Sequence, residues 1–196
     1  MNKLMVAGLV MLALGLSGCV KQEPNRYYDL TSQASASGQL IHKTVTLGIG
    51  PVTLPQVLDR PGIVTRFKGT GVNVASYHTW AGDLEPAFTH VLADSLAMTL
   101  QHDQVWPSPW DNRFRPEYQV RIFVDRFSGE LNGTSNLNLT WTLLGDYGKT
   151  VIKTRRYRAV AESGQGYGDY VSALNQLLAD FSRTMSAELA SSLPGN

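Results

Sequence analysis

"EYQVRIFVDRF" (residues 117–127) and "SNLNLTWTLL" (residues 135–144) decide the fold. In the first, Tyr118, Val120, Ile122 and Val124 alternate with Gln119, Arg121, Phe123 and Asp125. In the second, Leu137, Leu139, Trp141 and Leu143 alternate with Asn136, Asn138, Thr140 and Thr142. Successive side chains of a strand point to opposite faces, so each stretch reads as a strand with one buried and one wetted face. "GDYGK" is a turn, and "TVIKTRRYRAVAE" beyond it makes the third strand of a meander.

On either side of this meander the period becomes helical. Leu84, Phe88, Val91, Leu92, Ser95, Leu96 and Leu100 form one stripe, with Asp83 placed as N-cap and Pro86 in the first turn. The spacing predicts a helix over 84–101. Tyr170, Leu174, Leu177, Leu178, Phe181, Met185, Leu189 and Leu193 predict a second helix, with Gly168 or Asp169 as its cap. Further upstream, Val45, Leu47 and Ile49 alternate with Thr44, Thr46 and Gly48, and Pro51 and Pro55 restrict that strand to an edge or break it. "GIVTRF" and "VNVASYHTW" read as a hairpin around "KGTG", "YYDL" as a short first strand, and "TSQASASGQ" as a flexible connection. "VWPSPW" is irregular, with room for one short extended piece. Two amphipathic helices need an apolar sheet face to cover. The expectation is an α+β fold, a two-layer sandwich of a mainly antiparallel sheet with two amphipathic helices on one face.

The amino terminus has a different character. Met1, Asn2 and Lys3 precede thirteen apolar or glycine residues, "LMVAGLVMLALGL". A spanning helix needs about 20 residues, so this run fits the apolar region of a secretory signal instead. Leu16-Ser17-Gly18-Cys19 follows, and it looks like the lipobox of bacterial lipoproteins; Cys19 is the only cysteine. That resemblance implies a covalent diacylglycerol on the Cys19 thiol, cleavage before it, and an N-acyl chain on the new amino group. One acyl chain holds a protein only marginally, and several make the anchor stable. Val20 stands where an aspartate favours inner-membrane retention in enteric lipoproteins, which points to the outer membrane. The domain reading is therefore a signal peptide at 1–18, a lipidated tether at 19–26, and a single domain at 27–196.

Several chemistries find no support. Removing Lys3 with the leader leaves 16 of the 17 basic residues against 16 acidic ones, a balance unlike a nucleic-acid binder. Once Cys19 is lipidated no thiol remains for a disulfide, a metal or a nucleophile. His42, His78, His90 and His102 fall in no metal-binding spacing, and no GxSxG or SxxK is present. "SGQGYGDY" leads into a helix and reads as a capped loop more readily than as an anion site. Asp83 with Glu85, and Asp125 with Glu130, are explained by capping and solvation. Lys149, Lys153, Arg155, Arg156 and Arg158 form a basic run, either the charged face of an edge strand or a surface for anionic head groups or an acidic partner. Leu54, Pro55, Val57 and Leu58 are apolar in an aperiodic segment beside Asp59 and Arg60; such loops either pack under the body or meet a partner.

In this order the segments resemble the PqiC/YmbA-type, or ABC-transport auxiliary, lipoproteins. The carriers are Cys19 with "YYDL", "VTLPQVLDRPGIVTR", "WAGDLEPAFTHVLADSLAMTL" and "GYGDYVSALNQLLADFSRTMSAEL". Gln56-Val57 departs from the family, where an aromatic often precedes the leucine. The resemblance implies a periplasm-facing, outer-membrane-anchored docking subunit of an MCE-type intermembrane lipid transport system, with no enzymatic activity. Its partners would be an MCE-domain protein and its inner-membrane permease, with phospholipid as cargo and a homo-oligomeric ring as a compatible assembly. Leu54, Pro55, Leu58, Asp59, Arg60 and Trp80 are the candidate partner-binding residues. Two other classes stay open: an autonomous periplasmic lipid carrier or chaperone, and an envelope hydrolase.

Overall fold

β6 (Tyr118–Gly129) and β7 (Thr134–Gly145) pair antiparallel, and β8 (Thr150–Glu162) pairs antiparallel with β7. The register sets Val120 opposite Leu143, Ile122 opposite Trp141 and Val124 opposite Leu139. All six are buried, while Arg121 and Phe123 between them are exposed. The meander and its two faces are thus as the alternation predicts, except at Gln119 of the polar set, which is buried. The computed structural model describes residues 23–34, 44–111 and 113–193. The leader, Cys19 and His42 lie outside the described residues.

β2 (Leu47–Thr53) and β5 (Val105–Pro107) extend the meander into a five-stranded sheet of order β5-β2-β6-β7-β8. β2 runs parallel to both neighbours. Of the two outcomes expected from Pro51 and Pro55, an edge position or a break, the sheet shows no edge but an interruption. The register of β2 against β6 shifts between Ile49 and Val52, so Pro51 falls in a bulge. Proline has no N–H to give to a ladder, and a bulge is where a central strand can do without one.

The early strands form a second sheet instead of joining the first. β1 (Arg26–Tyr28), β3 (Gly62–Phe67) and β4 (Gly71–Trp80) lie in the order β1-β4-β3. β3 and β4 make the expected hairpin, and β1 lies parallel to β4. The chain leaves the line of β2 at Pro55, makes one 3₁₀ turn (Gln56–Leu58) and re-enters a strand after Pro61. Neither proline can donate a ladder hydrogen bond, which interrupts pairing at both points. Arg66 Nε donates to Ser128 Oγ at 3.0 Å, joining the small sheet to the large one.

α1 (Leu84–Leu100) and α2 (Tyr167–Ser192) cover one face of the large sheet and pack against each other. Phe88 meets Phe127 edge-on, with ring centroids 5.2 Å apart, and Leu92, Leu96, Leu177 and Phe181 fill the space around them. Burying each such side chain contributes about 1.5–3 kcal/mol. α1 stops at Gln101, whose φ of 49° is left-handed and whose N–H bonds to the Met98 carbonyl at 3.3 Å. α2 begins earlier than expected. Gly166 is its N-cap, and Asp169 acts from the third position by accepting the Gly166 N–H at 3.4 Å. The carboxylate of Asp169 therefore takes the place at this helix head where an anion was considered.

The amino-terminal segment is stitched to the body. Tyr28 Oη and His78 Nδ1 share a hydrogen bond at 2.7 Å, and the His78 ring stacks on Tyr167 with centroids 4.0 Å apart. Thr31 N–H donates to Asn175 Oδ1 at 3.1 Å, and Asn175 Nδ2 donates back to Thr31 Oγ1 at 3.2 Å. Among the described residues no helix is long and apolar enough to cross a membrane.

Candidate docking cleft at the head of the first helix

The loop "LPQVLDRP" is held by its own backbone. Leu58 N–H donates to the Pro55 carbonyl at 2.8 Å, Asp59 N–H to Gln56 at 3.1 Å and Arg60 N–H to Leu58 at 2.8 Å. At the far end the Trp80 N–H donates to the Pro61 carbonyl at 2.8 Å. This last bond brings the loop against the end of β4 and, three residues on, against the start of α1.

The result is a surface cleft of about 690 Å³. One wall carries Leu54, Gln56, Asp59 and Arg60; the other carries Asp83, Glu85 and Pro86. Leu58, Trp80 and Leu84 form its floor, at 4%, 7% and 6% exposure. Asp59, Arg60, Asp83 and Glu85 stand exposed around the opening. Three carboxylates and one guanidinium thus ring an apolar base. The Asp83 side chain makes no capping hydrogen bond to its helix, and Glu85 reaches across the cleft to the Leu54 N–H at 3.5 Å.

Five of the six residues singled out in the sequence line this cleft: Leu54, Leu58, Asp59, Arg60 and Trp80. Pro55 does not line it, but its carbonyl closes the turn that shapes the wall. Leu58 and Trp80 are core residues whose edges reach the cleft, not projecting surface side chains. In the sequence, capping and solvation explain Asp83 and Glu85, which gives no sign of a cleft wall. The available signal was their position, three and five residues after Trp80 at a helix head.

The basic run divides. β8 is an edge of the large sheet, as one reading of its charges required. Lys153 and Arg155 stand opposite Leu143 and Trp141, on the face that carries the helices; Lys153 Nζ meets Glu188 Oε2 of α2 at 2.8 Å. That hydrogen bond holds the Glu188 carboxyl below its ordinary value. Arg156 and Arg158 stand opposite Thr140 and Asn138, on the uncovered face. His102 is buried with Nε2 2.7 Å from the Val45 carbonyl, and His90 is exposed. Among the described residues no group of three or more His, Cys, Asp or Glu side chains is gathered as a metal site would need.

A two-helix, two-sheet body with a tethered first strand and a loop-built cleft has known relatives. The family model for the ABC-type transport auxiliary lipoprotein component matches residues 28–186, and the chain belongs to that family, the PqiC/YmbA type. Among solved structures, a Xanthomonas campestris protein of the family model DUF330 is similar in fold. Its TM-score is 0.72 at 15% identity, over 85% of this chain and 96% of that one. An uncharacterized protein is similar with a TM-score of 0.67 at 19% identity, over 85% of this chain and 99% of that one. No curated protein matches in sequence.

Proposed function

We propose that this lipoprotein is a docking subunit of an MCE-type intermembrane lipid transport system. It is anchored by acyl chains on Cys19 in the outer membrane and faces the periplasm. The cleft beside Trp80 carries this reading. Its acidic rim and apolar floor suit a segment of a partner protein that presents an apolar side chain flanked by basic ones. The partner would be the MCE-domain protein of the system, with its inner-membrane permease beyond it. The role is mechanical, and no reaction is assigned to the chain.

An autonomous lipid carrier would need an enclosed apolar chamber for acyl chains. The layer between helices and sheet is instead filled by Phe88, Leu92, Leu96, Phe127, Leu177 and Phe181, each at 1% exposure or less. This weighs toward docking.

The experiment is a mild-detergent purification of the full-length protein from its own envelope, with mass spectrometry of what accompanies it. An MCE protein and permease that are lost on Asp83→Lys with Glu85→Lys, or on Cys19→Ala, are the expected outcome. A protein that arrives without them but with stoichiometric phospholipid would overturn docking in favour of carriage.

A further inference from the structure

The tip of the β3–β4 hairpin exposes apolar side chains that the body does not use. Phe67 is 50% exposed, Val72 39% and Val74 40%, with Lys68, Gly69 and Thr70 between the strands. Val72 and Val74 are alternate residues of β4 and so share one face of the ribbon. The Phe67 ring lies over Gly71, where a Cβ would stand 2.6 Å from two of its carbons, and so on the other face. The ribbon end thus exposes apolar side chains on both faces, with the half-buried Arg66 beside Val72 and the exposed Asn73 on the face of Phe67. Among the described residues no further layer covers it.

The direction of the amino-terminal chain says what covers it. β1 runs parallel to β4 with Arg26 opposite His78 and Tyr28 opposite Trp80. Residues 23–25 therefore enter β1 from the hairpin end, not from the cleft end. Cys19 stands seven positions before Arg26, and Gly71 seven positions before His78. At about 3.3 Å per residue both spans reach roughly 23 Å. A lipid on Cys19 is thus within reach of the level of the tip and cannot be far beyond it. Lys68 adds a cation at that level; Arg66 and Glu130, which line the neighbouring hollow with it, offset one another. The cleft lies at the opposite end of β4, about 30 Å away for a strand of this length.

We propose that the β3–β4 hairpin tip, Phe67 to Gly71 with Val72 and Val74, rests in the head-group layer of the membrane that holds the Cys19 lipid. It is a second, non-covalent foothold, and it points the cleft away from the bilayer. The apolar side chains enter the interface while Lys68 meets phosphate, as interfacial segments do. This rests on lipidation at Cys19, and the test separates the two.

Cys19 is the only cysteine, so in the lipidated full-length chain Thr70→Cys supplies the sole free thiol. An environment-sensitive fluorophore is placed there, and in a second protein on Lys149→Cys, in the turn at the far end of the 12-residue strand β7. Both are reconstituted into phosphatidylethanolamine–phosphatidylglycerol vesicles and floated. The expected result is a blue-shifted emission at position 70, quenched by head-group-labelled lipid, and an aqueous emission at 149. Phe67→Asp with Val72→Asp should abolish the shift at position 70 while flotation and the thermal transition persist, since both side chains lie outside the core. Aqueous emission at position 70 in vesicles that carry the protein would overturn the foothold and leave the anchor standing. A wild-type chain that does not float would overturn the anchor and the foothold with it.

Discussion

The hydroxyl of Tyr170 in α2 donates to the backbone carbonyl of Val64 in β3 at 2.9 Å. The same oxygen accepts the Gly129 N–H at the end of β6, at 3.1 Å. One buried phenol thus joins the second helix, the small sheet and the large sheet.

Tyr170→Phe should therefore cost more than an ordinary hydrogen bond. The ring still fills its place, but a buried N–H and a buried carbonyl lose their partner, for about 1–3 kcal/mol. Denaturant unfolding measures this directly. Burial also raises the phenol pKa from 10.0 to about 12, against a lowering effect of the Gly129 N–H. The folded state thus holds the proton more tightly than the unfolded chain. Stability is fully present below pH 10.0 and falls as pH rises toward and through about 12. The variant should lack this part of the alkaline loss, so the two unfolding curves converge as pH is raised.

Gly48 makes a different kind of contact. A Cβ on Gly48 would collide with the Trp110 indole and stand 2.6 Å from Pro116 Cγ. Both neighbours are rigid rings, and Trp110 is tied in place by its Nε1–H to the Trp106 carbonyl at 3.1 Å. Gly48→Val should push Trp110 off β2 at a cost of roughly 1–3 kcal/mol, as overpacking does. A red-shifted tryptophan emission and a lowered thermal midpoint are the expected readings, with the shift absent when Trp110 is first replaced by Phe.

Lys153 and Glu188 tie the edge strand to the second helix, and the sign of their pH dependence follows from the carboxylate. The Lys153 hydrogen bond lowers the Glu188 pKa from its ordinary 4.5. The contribution is present above 4.5 and is lost as pH falls through the lower folded value. The two side chains are 20% and 36% exposed, so solvent screens the pair and it is worth at most about 1 kcal/mol. A double-mutant cycle with Lys153→Met and Glu188→Gln should give a small coupling near neutral pH. That coupling should shrink in high salt and vanish in acid.

How far the sequence reaches depends on how local the cause is. β6, β7 and the two helices follow from period alone, since Val120, Ile122 and Val124 or Leu92, Leu96 and Leu100 must share a face to be buried. The place of β2 does not. Pro51 speaks for an edge unless a bulge absorbs it, and the bulge is visible only in the pairing with β6. The split into two sheets is equally hidden, because it depends on where Pro55 and Pro61 send the chain and on the Arg66–Ser128 and Tyr170–Val64 contacts, over 60 residues apart or more in sequence. In the cleft the loop was legible as apolar residues without a period. Its opposite wall was not, since Asp83 and Glu85 have a sufficient local explanation as helix-start residues. Gln101 likewise ends α1 in a left-handed conformation that glycine would have announced.

The cleft itself allows a decisive pair of substitutions, because its floor and rim differ in burial. Leu58 is 4% exposed and belongs to the core, so Leu58→Ala should lower stability by about 2–5 kcal/mol and lose partner binding only as folding fails. Asp83 and Glu85 are exposed, and their replacement by Lys should leave the thermal transition within about 0.5 kcal/mol. Reversing two of the three carboxylates turns the rim from acidic to basic. If the partner presents basic residues there, the association rate should fall at least tenfold and its dependence on ionic strength should change sign. Surface plasmon resonance against the MCE-domain partner measures both quantities. A doubly substituted chain that binds with unchanged rate and salt dependence would remove the rim from the interface and leave the apolar floor as its only claim to a partner.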